Sequence, residues 1–271
     1  MPLTAATSAQ RPKNMVQAIE RAAEILEILG RSPQGLSIGE IAARSGLAKG
    51  TAHRLLASLA HFDFVRQNGG TRHYQLGFKL VELGNRLLNQ IDLRDDARPF
   101  LIALAEEAQE TVHLVVRERD DALYIDKVAL HPKRSGLQMV SHIGSRTALH
   151  SSAVGKILLA ALSADDLADF VARRGLARQT DKTITDSVKL ERHLADVRRQ
   201  GFAIDDEENE KGIRCVGAPI HDAEGKVVAA VSVSGPTARV TKARVSQSLH
   251  RQVCAAALGI SRQLGFRGEL S

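Results

Sequence analysis

The chain has 271 residues, 44% hydrophobic and 25% charged, enough apolar material for two cores rather than one. Aromatic residues make up only 3%, with no Trp, which argues against a surface that stacks single-stranded bases; two cysteines, Cys215 and Cys254, imply no disulfide framework; and no apolar run approaches the ~20 residues of a membrane-spanning helix. The net charge of +6 is uneven: residues 1–76 carry 9 Lys or Arg against 5 Asp or Glu, the remainder 28 against 26, so the small N-terminal part is the basic one, as a module facing phosphates is.

Residues 1–13 lack the apolar stretch of a secretory signal and read as a disordered leader, which together with the free thiols fits a reducing cytoplasm. Residues 16–30 repeat apolar side chains at helical spacing through Ile19, Ala22, Ala23, Leu26 and Leu29. Ser37 followed by Glu40 is a capping box, and the helix it opens stops at Gly46. After that tight turn "GLAKGTAHRLLASL" (46–59) buries Ala52, Leu55, Leu56 and Leu59 on one face and turns Gly50, His53, Arg54 and Ala57 outward. Two short helices joined this way make a helix-turn-helix, the second being the recognition helix. Alternating residues around Asn68-Gly69-Gly70 read as a β-hairpin, so residues 14–77 form a winged helix-turn-helix.

Residues 78–92 read as an amphipathic linker helix with Leu80, Leu83, Leu87 and Ile91 on one stripe, followed by a second helix over 95–109. From residue 111 the period shortens. "VHLVVRE", "ALYIDKV", "LQMVSHIG", "FAIDDE", "IRCVGAPIHD" and "KVVAAVSVSG" read as strands, with helices over 151–162, 164–174, 187–200 and 241–265 between and after them. Residues 93–271 are thus an α+β domain of the sensor type, a sheet with covering helices.

The small residues Gly50 and Ala57 on the outer face of the recognition helix let its backbone approach base edges and thymine methyls. Arg54 reaches guanine or phosphate, Thr51 and His53 can bond either, and Lys49 suits a phosphate at the helix start. On the wing, Arg66, Arg72 and His73 would meet the backbone or minor groove. A three-helix unit with merely solvated basic residues is the plainer account of the same pattern. Further along, "HSSAVGK" (150–156) opens a helix whose free N–H groups and positive dipole end suit a carboxylate, although a plain Ser N-cap on an amphipathic helix is the simpler account of these residues alone. Ser232 and Ser234, two apart on one strand, share a sheet face.

The order of these modules, with "RLLASL" in the recognition helix, "IGSRTALHSSAVGKILLA" (143–160) and "GFAIDDEENEKGIRCVGAPIHDAEGKVVAAVSVSGP" (201–236), resembles the IclR family of bacterial transcription regulators. The resemblance runs from about residue 14 to 265. It implies a GAF- or profilin-like effector domain after the winged helix, operator DNA read as a dimer, pairing of dimers into tetramers, a small carboxylate effector, and neither cofactor nor membrane. It carries effector contacts onto Ser152, Ala153, Val154, Gly155, Asp205, Ile213, Cys215, Ser232 and Ser234. The chain departs from the family pattern at Gly50, where Ser is common, and at Ala148 and Ser152–Ala153, which touch the ligand loop. Glu207, Glu208 and Glu210 read as a solvated loop. A Cys–His hydrolase built on Cys215 with His150 or His221 lacks an oriented base, and His113, His131, His142, His150 and Cys215 show no metal-ligand spacing, so no catalytic or metal residues are expected.

Overall fold

A computed structural model describes residues 15–88, 92–130 and 141–268, so the expected leader lies outside the described residues. The chain divides into two compact units, residues 1–90 and 91–271.

In the first unit, α1 (Gln17–Gly30), α2 (Ile38–Ser45) and α3 (Lys49–His61) pack around Ile25, Leu29, Ile41 and Leu56. The capping box closes as the sequence implies: Ser37 Oγ accepts from Glu40 N at 3.4 Å, and Glu40 Oε2 accepts from Ser37 N at 2.8 Å. Gly46 ends α2 in the left-handed region at φ 64°, which only glycine adopts freely. Strands β1 (Val65–Gln67) and β2 (Tyr74–Leu76) form the hairpin, and Leu36 bridges to Tyr74 on its other side. Helix α4 (Lys79–Leu88) follows.

The second unit opens with α5 (Asp92–Ala108), earlier than the sequence reading, and builds a six-stranded antiparallel sheet from β3 (Thr111–Glu118), β4 (Asp121–Val128), β5 (Arg146–Thr147), β6 (Ala203–Asp206), β7 (Ile213–His221) and β8 (Val227–Pro236), in the order β5-β4-β3-β8-β7-β6. Helices α6 (Ala153–Ala160), α7 (Ala164–Arg174) and α8 (Ser187–Gln200) have their buried residues in a core with Val115, Ala203 and Ala230. On the opposite face α5 and the C-terminal helices pack on Leu114, Val216, Val231 and Val233. The alternation of strand residues decides which core each one joins.

Two expectations change. Of "LQMVSHIG", residues 137–140 lie outside the described residues and residues 141–144 make a turn rather than a strand, because Ser145 Oγ donates to the His142 carbonyl at 2.6 Å and accepts from its N–H at 3.0 Å. The helix expected over 241–265 is present but widens within its length, running through α9 (Lys242–Arg244), a π-helical turn at Val245–Leu249 and α10 (His250–Gln263), with His250 Nδ1 bonded to the Val245 carbonyl at 2.8 Å across the wider turn.

Candidate functional site

The sequence places two surfaces in view, one in each unit. In the first, α3 buries Ala52 and Leu56 and leaves Lys49, Gly50, His53, Arg54 and Ala57 exposed, with Thr51 half-buried. A side chain built at Gly50 would meet nothing within 4 Å, so no contact inside the unit requires glycine there. The wing is held by Asn68 Oδ1, which accepts from Gly70 N at 2.9 Å and Thr71 N at 3.1 Å. Arg72 stands exposed at its tip with φ 58°, and His73 is half-buried beside it. Arg66 is exposed too, but its guanidinium lies 5.0 Å over the ring of Phe78, which fixes its direction.

In the second unit the sheet face under α6 carries a cavity of about 140 Å³. Ser152, Ala153, Val154, Asp205, Ile213, Cys215, Ser232 and Ser234 all line it. Their meeting follows from register. Asp205 pairs with Cys215 and Cys215 with Ser234; in the next row Gly217 pairs with Ser232 and Ser232 with His113. A Cβ at Gly217 would stand 3.3 Å from the Val231 carbonyl oxygen, 3.4 Å from Val154 N and 3.5 Å from the Ala153 carbonyl carbon, so the first turn of α6 lies at contact distance over this point of the sheet.

Gly155 does not line the cavity. Its N–H is taken by Ser152 Oγ at 3.1 Å, the N-cap of α6, and a Cβ there would stand 2.4 Å from the Leu149 carbonyl oxygen. Glycine at 155 serves the close approach of the preceding loop. Of the first-turn residues whose N–H groups a helix cannot pair internally, Ala153 and Val154 line the cavity. Ser152 also donates to the Ala148 carbonyl at 2.7 Å, so its hydroxyl is spent on the cap.

Asp205 is 2% exposed. Its Oδ1 accepts from the N–H groups of Glu208 at 2.8 Å and Asn209 at 3.2 Å. Burial nonetheless pushes its carboxyl up to about 7, against the pull of Lys156 and the two N–H donors. Burial and the neighbouring Asp205 raise the Cys215 thiol well above its ordinary value, the reverse of what a nucleophilic cysteine needs. His150 and His221 do not line the cavity; His150 Nε2 is bonded to the Ala177 carbonyl at 2.9 Å and His221 stacks on Phe266. Among the described residues no three His, Cys, Asp or Glu side chains group as a metal site, and His131 lies outside them.

The sequence reading passed over several lining residues. His113 is buried and held neutral, its ring pushed down to about 3 by burial and by Lys127; Nε2 bonds Ser141 Oγ at 2.8 Å. Tyr124 lies against it with ring centroids 4.9 Å apart. Asn209 accepts from Thr147 Oγ1 at 3.2 Å and Ser151 Oγ at 2.9 Å, and exposed Arg146 reaches the rim. The period-two pattern of "TVHLVV" carries the signal for His113; Tyr124 and Asn209 come from pairings no local pattern announces. Nor is the acidic run a solvated loop. Glu207 pairs with Lys182 at 2.6 Å, Glu208 is buried on Lys156 at 2.6 Å, and Glu210 is half-buried at the cavity with its carboxyl raised by that burial.

Comparison with known proteins agrees with this division. The family described as "Bacterial transcriptional regulator IclR C-terminal" matches residues 85–262, and "IclR helix-turn-helix domain" matches residues 18–69. The chain is similar to the HTH-type transcriptional regulator XynR of Escherichia coli, 35% identical over 252 residues that cover 93% of this chain and 98% of that protein. It is similar to the transcriptional repressor IclR of the same organism, 35% identical and covering 86% of this chain and 84% of that one. The crystal structure of the Thermotoga maritima IclR superposes with a TM-score of 0.77 at 34% identity, over 92% of this chain and 98% of that chain.

Proposed function

Because the chain belongs to the IclR family of bacterial transcriptional regulators, whose curated relatives are regulators and not enzymes, we propose that it is a one-component, cytoplasmic regulator that reads a two-fold operator as a dimer and senses a small organic acid. In this reading residues 14–77 bind the operator through Lys49, Gly50, Thr51, His53 and Arg54 in the major groove and Arg66, Arg72 and His73 on the flanking backbone. Residues 78–92 link to the effector domain, 93–271, which also carries contacts that pair dimers into tetramers. The effector's carboxylate meets the N–H groups of Ala153 and Val154, with Ser232 and Ser234 along its length, and a hydroxyl at its far end donates to Asp205.

The observation that carries this reading is the first turn of α6 lying against the sheet at Gly217, which brings a helix N-terminus over the face bearing both serines and Asp205. A cavity of about 140 Å³ suits a molecule of few heavy atoms, since a space of roughly 150 Å³ holds one benzene ring. The effector then biases the DNA-competent state by binding one conformation better, typically by about 1–3 kcal/mol. The test is a calorimetric screen of small carboxylates against the wild type and Asp205→Ala, with operator binding as control. The variant should lose about ten- to a hundredfold in affinity for the acid and keep the operator. An uncharged wild-type hit, or a variant of unchanged affinity, would overturn the placement.

A further inference from the structure

The effector cavity holds a buried carboxyl group whose nearest cation is already matched. Asp205 is 2% exposed and lies on β6 beside Cys215 of β7. From α6 comes Lys156, but its ammonium donates to Glu208 Oε1 at 2.6 Å and to the Ile204 carbonyl. The other titratable groups on the sheet around Asp205 carry no charge at neutral pH. Burial raises the Cys215 thiol and the Tyr124 phenol of β4 above their ordinary values, and it helps push the His113 ring of β3 down to about 3. β8 contributes only the hydroxyls of Ser232 and Ser234. The loop after β6 adds a second carboxyl, half-buried Glu210, also raised by burial. At the mouth stand exposed His142 and, on β5, exposed Arg146, which is turned toward the Glu118 carbonyl at 3.4 Å and Asp121 at 3.9 Å.

An effector carboxylate therefore enters a hollow of about 140 Å³ that already contains Asp205. Two carboxylates that share one small, water-poor site do not both stay ionised, and the pair keeps a proton. We propose that the effector's carboxylate binds together with a proton, which the Asp205 carboxyl holds. The inference rests on the reading of the effector as an acid. Oδ1 of Asp205 already accepts from Glu208 N at 2.8 Å and Asn209 N at 3.2 Å, so Oδ2 is the oxygen left to carry the proton. Burial alone brings this carboxyl to about 7, so near neutral pH the proton is taken up at little cost. A hydroxyl at the far end of the effector can donate to the protonated carboxyl and accept from it, so that contact survives. The acid and its proton enter as a neutral pair. Affinity then weakens as pH rises past the free-state value of Asp205, by up to about tenfold per pH unit.

The test is calorimetry of the full chain with glycerate, a three-carbon acid bearing hydroxyls, and with glyceramide, its uncharged amide, from pH 6 to 9. Titrations at pH 8 in HEPES and in Tris, buffers of different ionisation enthalpy, count the protons exchanged. Glycerate stays ionised over this range, so any uptake belongs to the protein. The wild type should take up more than about half a proton per glycerate at pH 8, its Kd should rise at least about threefold from pH 7.5 to 8.5, and the amide should bring no proton. Asp205→Asn, which keeps the shape of a neutral carboxyl, should bind glycerate without uptake and with the same Kd at pH 6 and pH 8. The wild-type proton count decides whether or not that variant folds. Glycerate bound with no net proton and an unchanged Kd across the range overturns the coupling and leaves the acid reading standing. Uptake that survives Asp205→Asn puts the proton on another group and overturns the assignment to Asp205. Glyceramide bound at pH 6 as tightly as glycerate, or glycerate not bound there at all, overturns the acid reading and this inference with it.

Discussion

Glu208 grips the fully buried Lys156 at 2.6 Å with its side chain and holds Asp205 Oδ1 at 2.8 Å with its own N–H. One residue thus fastens α6 to the strand edge and fixes the acceptor at the floor of the cavity. Removing one partner of a buried pair strands the other's charge. Lys156→Met should therefore cost about 3–5 kcal/mol in urea melts. The double variant Lys156→Met/Glu208→Met should recover much of that loss, because no lone charge remains. A double variant as unstable as the single one would show that shape, not charge, holds this corner.

Arg54 extends from the face of α3 opposite buried Ala52 and Leu56. Arg54→Ala should leave the melting temperature alone and weaken operator binding by about 1–3 kcal/mol, concentrated at one base position. Titration at fixed salt with single-base operator variants separates this from a phosphate contact, which would weaken all sequences alike.

Gly50 gives the opposite split. Nothing in the unit needs glycine there, and glycine lowers helix stability by up to about 1 kcal/mol relative to alanine. Gly50→Ala should raise the melting temperature slightly while lowering operator affinity, because in the proposed docking the added methyl stands where the helix meets the bases. A variant that gains stability and keeps full affinity would remove Gly50 from the interface.

Asp205 sets a pH dependence whose sign is unusual for a carboxylate. Its folded-state value of about 7 lies above the ordinary 3.8, so between those values the folded chain holds a proton that the unfolded chain has lost. Stability from this group falls as pH rises from about 4 to 7, by roughly 3–4 kcal/mol at most. His113, pushed down to about 3, acts in the other direction over much of the same window, since acid charges it only in the unfolded chain. Comparing the wild type with Asp205→Asn isolates the first effect. The wild type's stability relative to the variant should decline from pH 4 to pH 7, as read in denaturant melts across that range. A flat difference would mean that Asp205 is ionised throughout.

Phe78 at 72%, Val81 at 58% and Leu83 at 40% exposure leave apolar side chains at and just before α4 open to solvent. Exposed apolar side chains concentrated in one short segment mark an interaction surface. Leu83→Glu should shift the chain toward monomer in sedimentation, and an unchanged oligomer would place the dimer contact elsewhere.

What the sequence makes legible is what neighbours in the chain decide. Ser37 with Glu40, Ser163 capping Asp166 N and the αL glycine at 46 each act within four residues, and the elements they bound stand where the pattern puts them. The serine face of β8 follows from a period of two. Burial of Lys156 is not legible, because its partner lies 52 residues away and the helix around it reads as an ordinary amphipathic one. The acidic run misleads for the same reason: Glu207 and Glu208 look solvated until Lys182 and Lys156 arrive from other elements. Gly155 misleads differently, since its glycine answers to the loop packed on it rather than to anything held in the cavity.

The sheet also separates two kinds of evolutionary freedom. Along β8, Ser232 and Ser234 face the cavity while Val231 and Val233 face the core beneath α5 and α10; along β7, Cys215 and Gly217 alternate with Val216 and Ala218 in the same way. A substitution at a cavity position changes the chemistry of the hollow without moving a methyl group on the other side. Sensing can therefore diverge one side chain at a time on an unaltered scaffold, with the least room at Gly217, where a single added carbon already touches the first turn of α6.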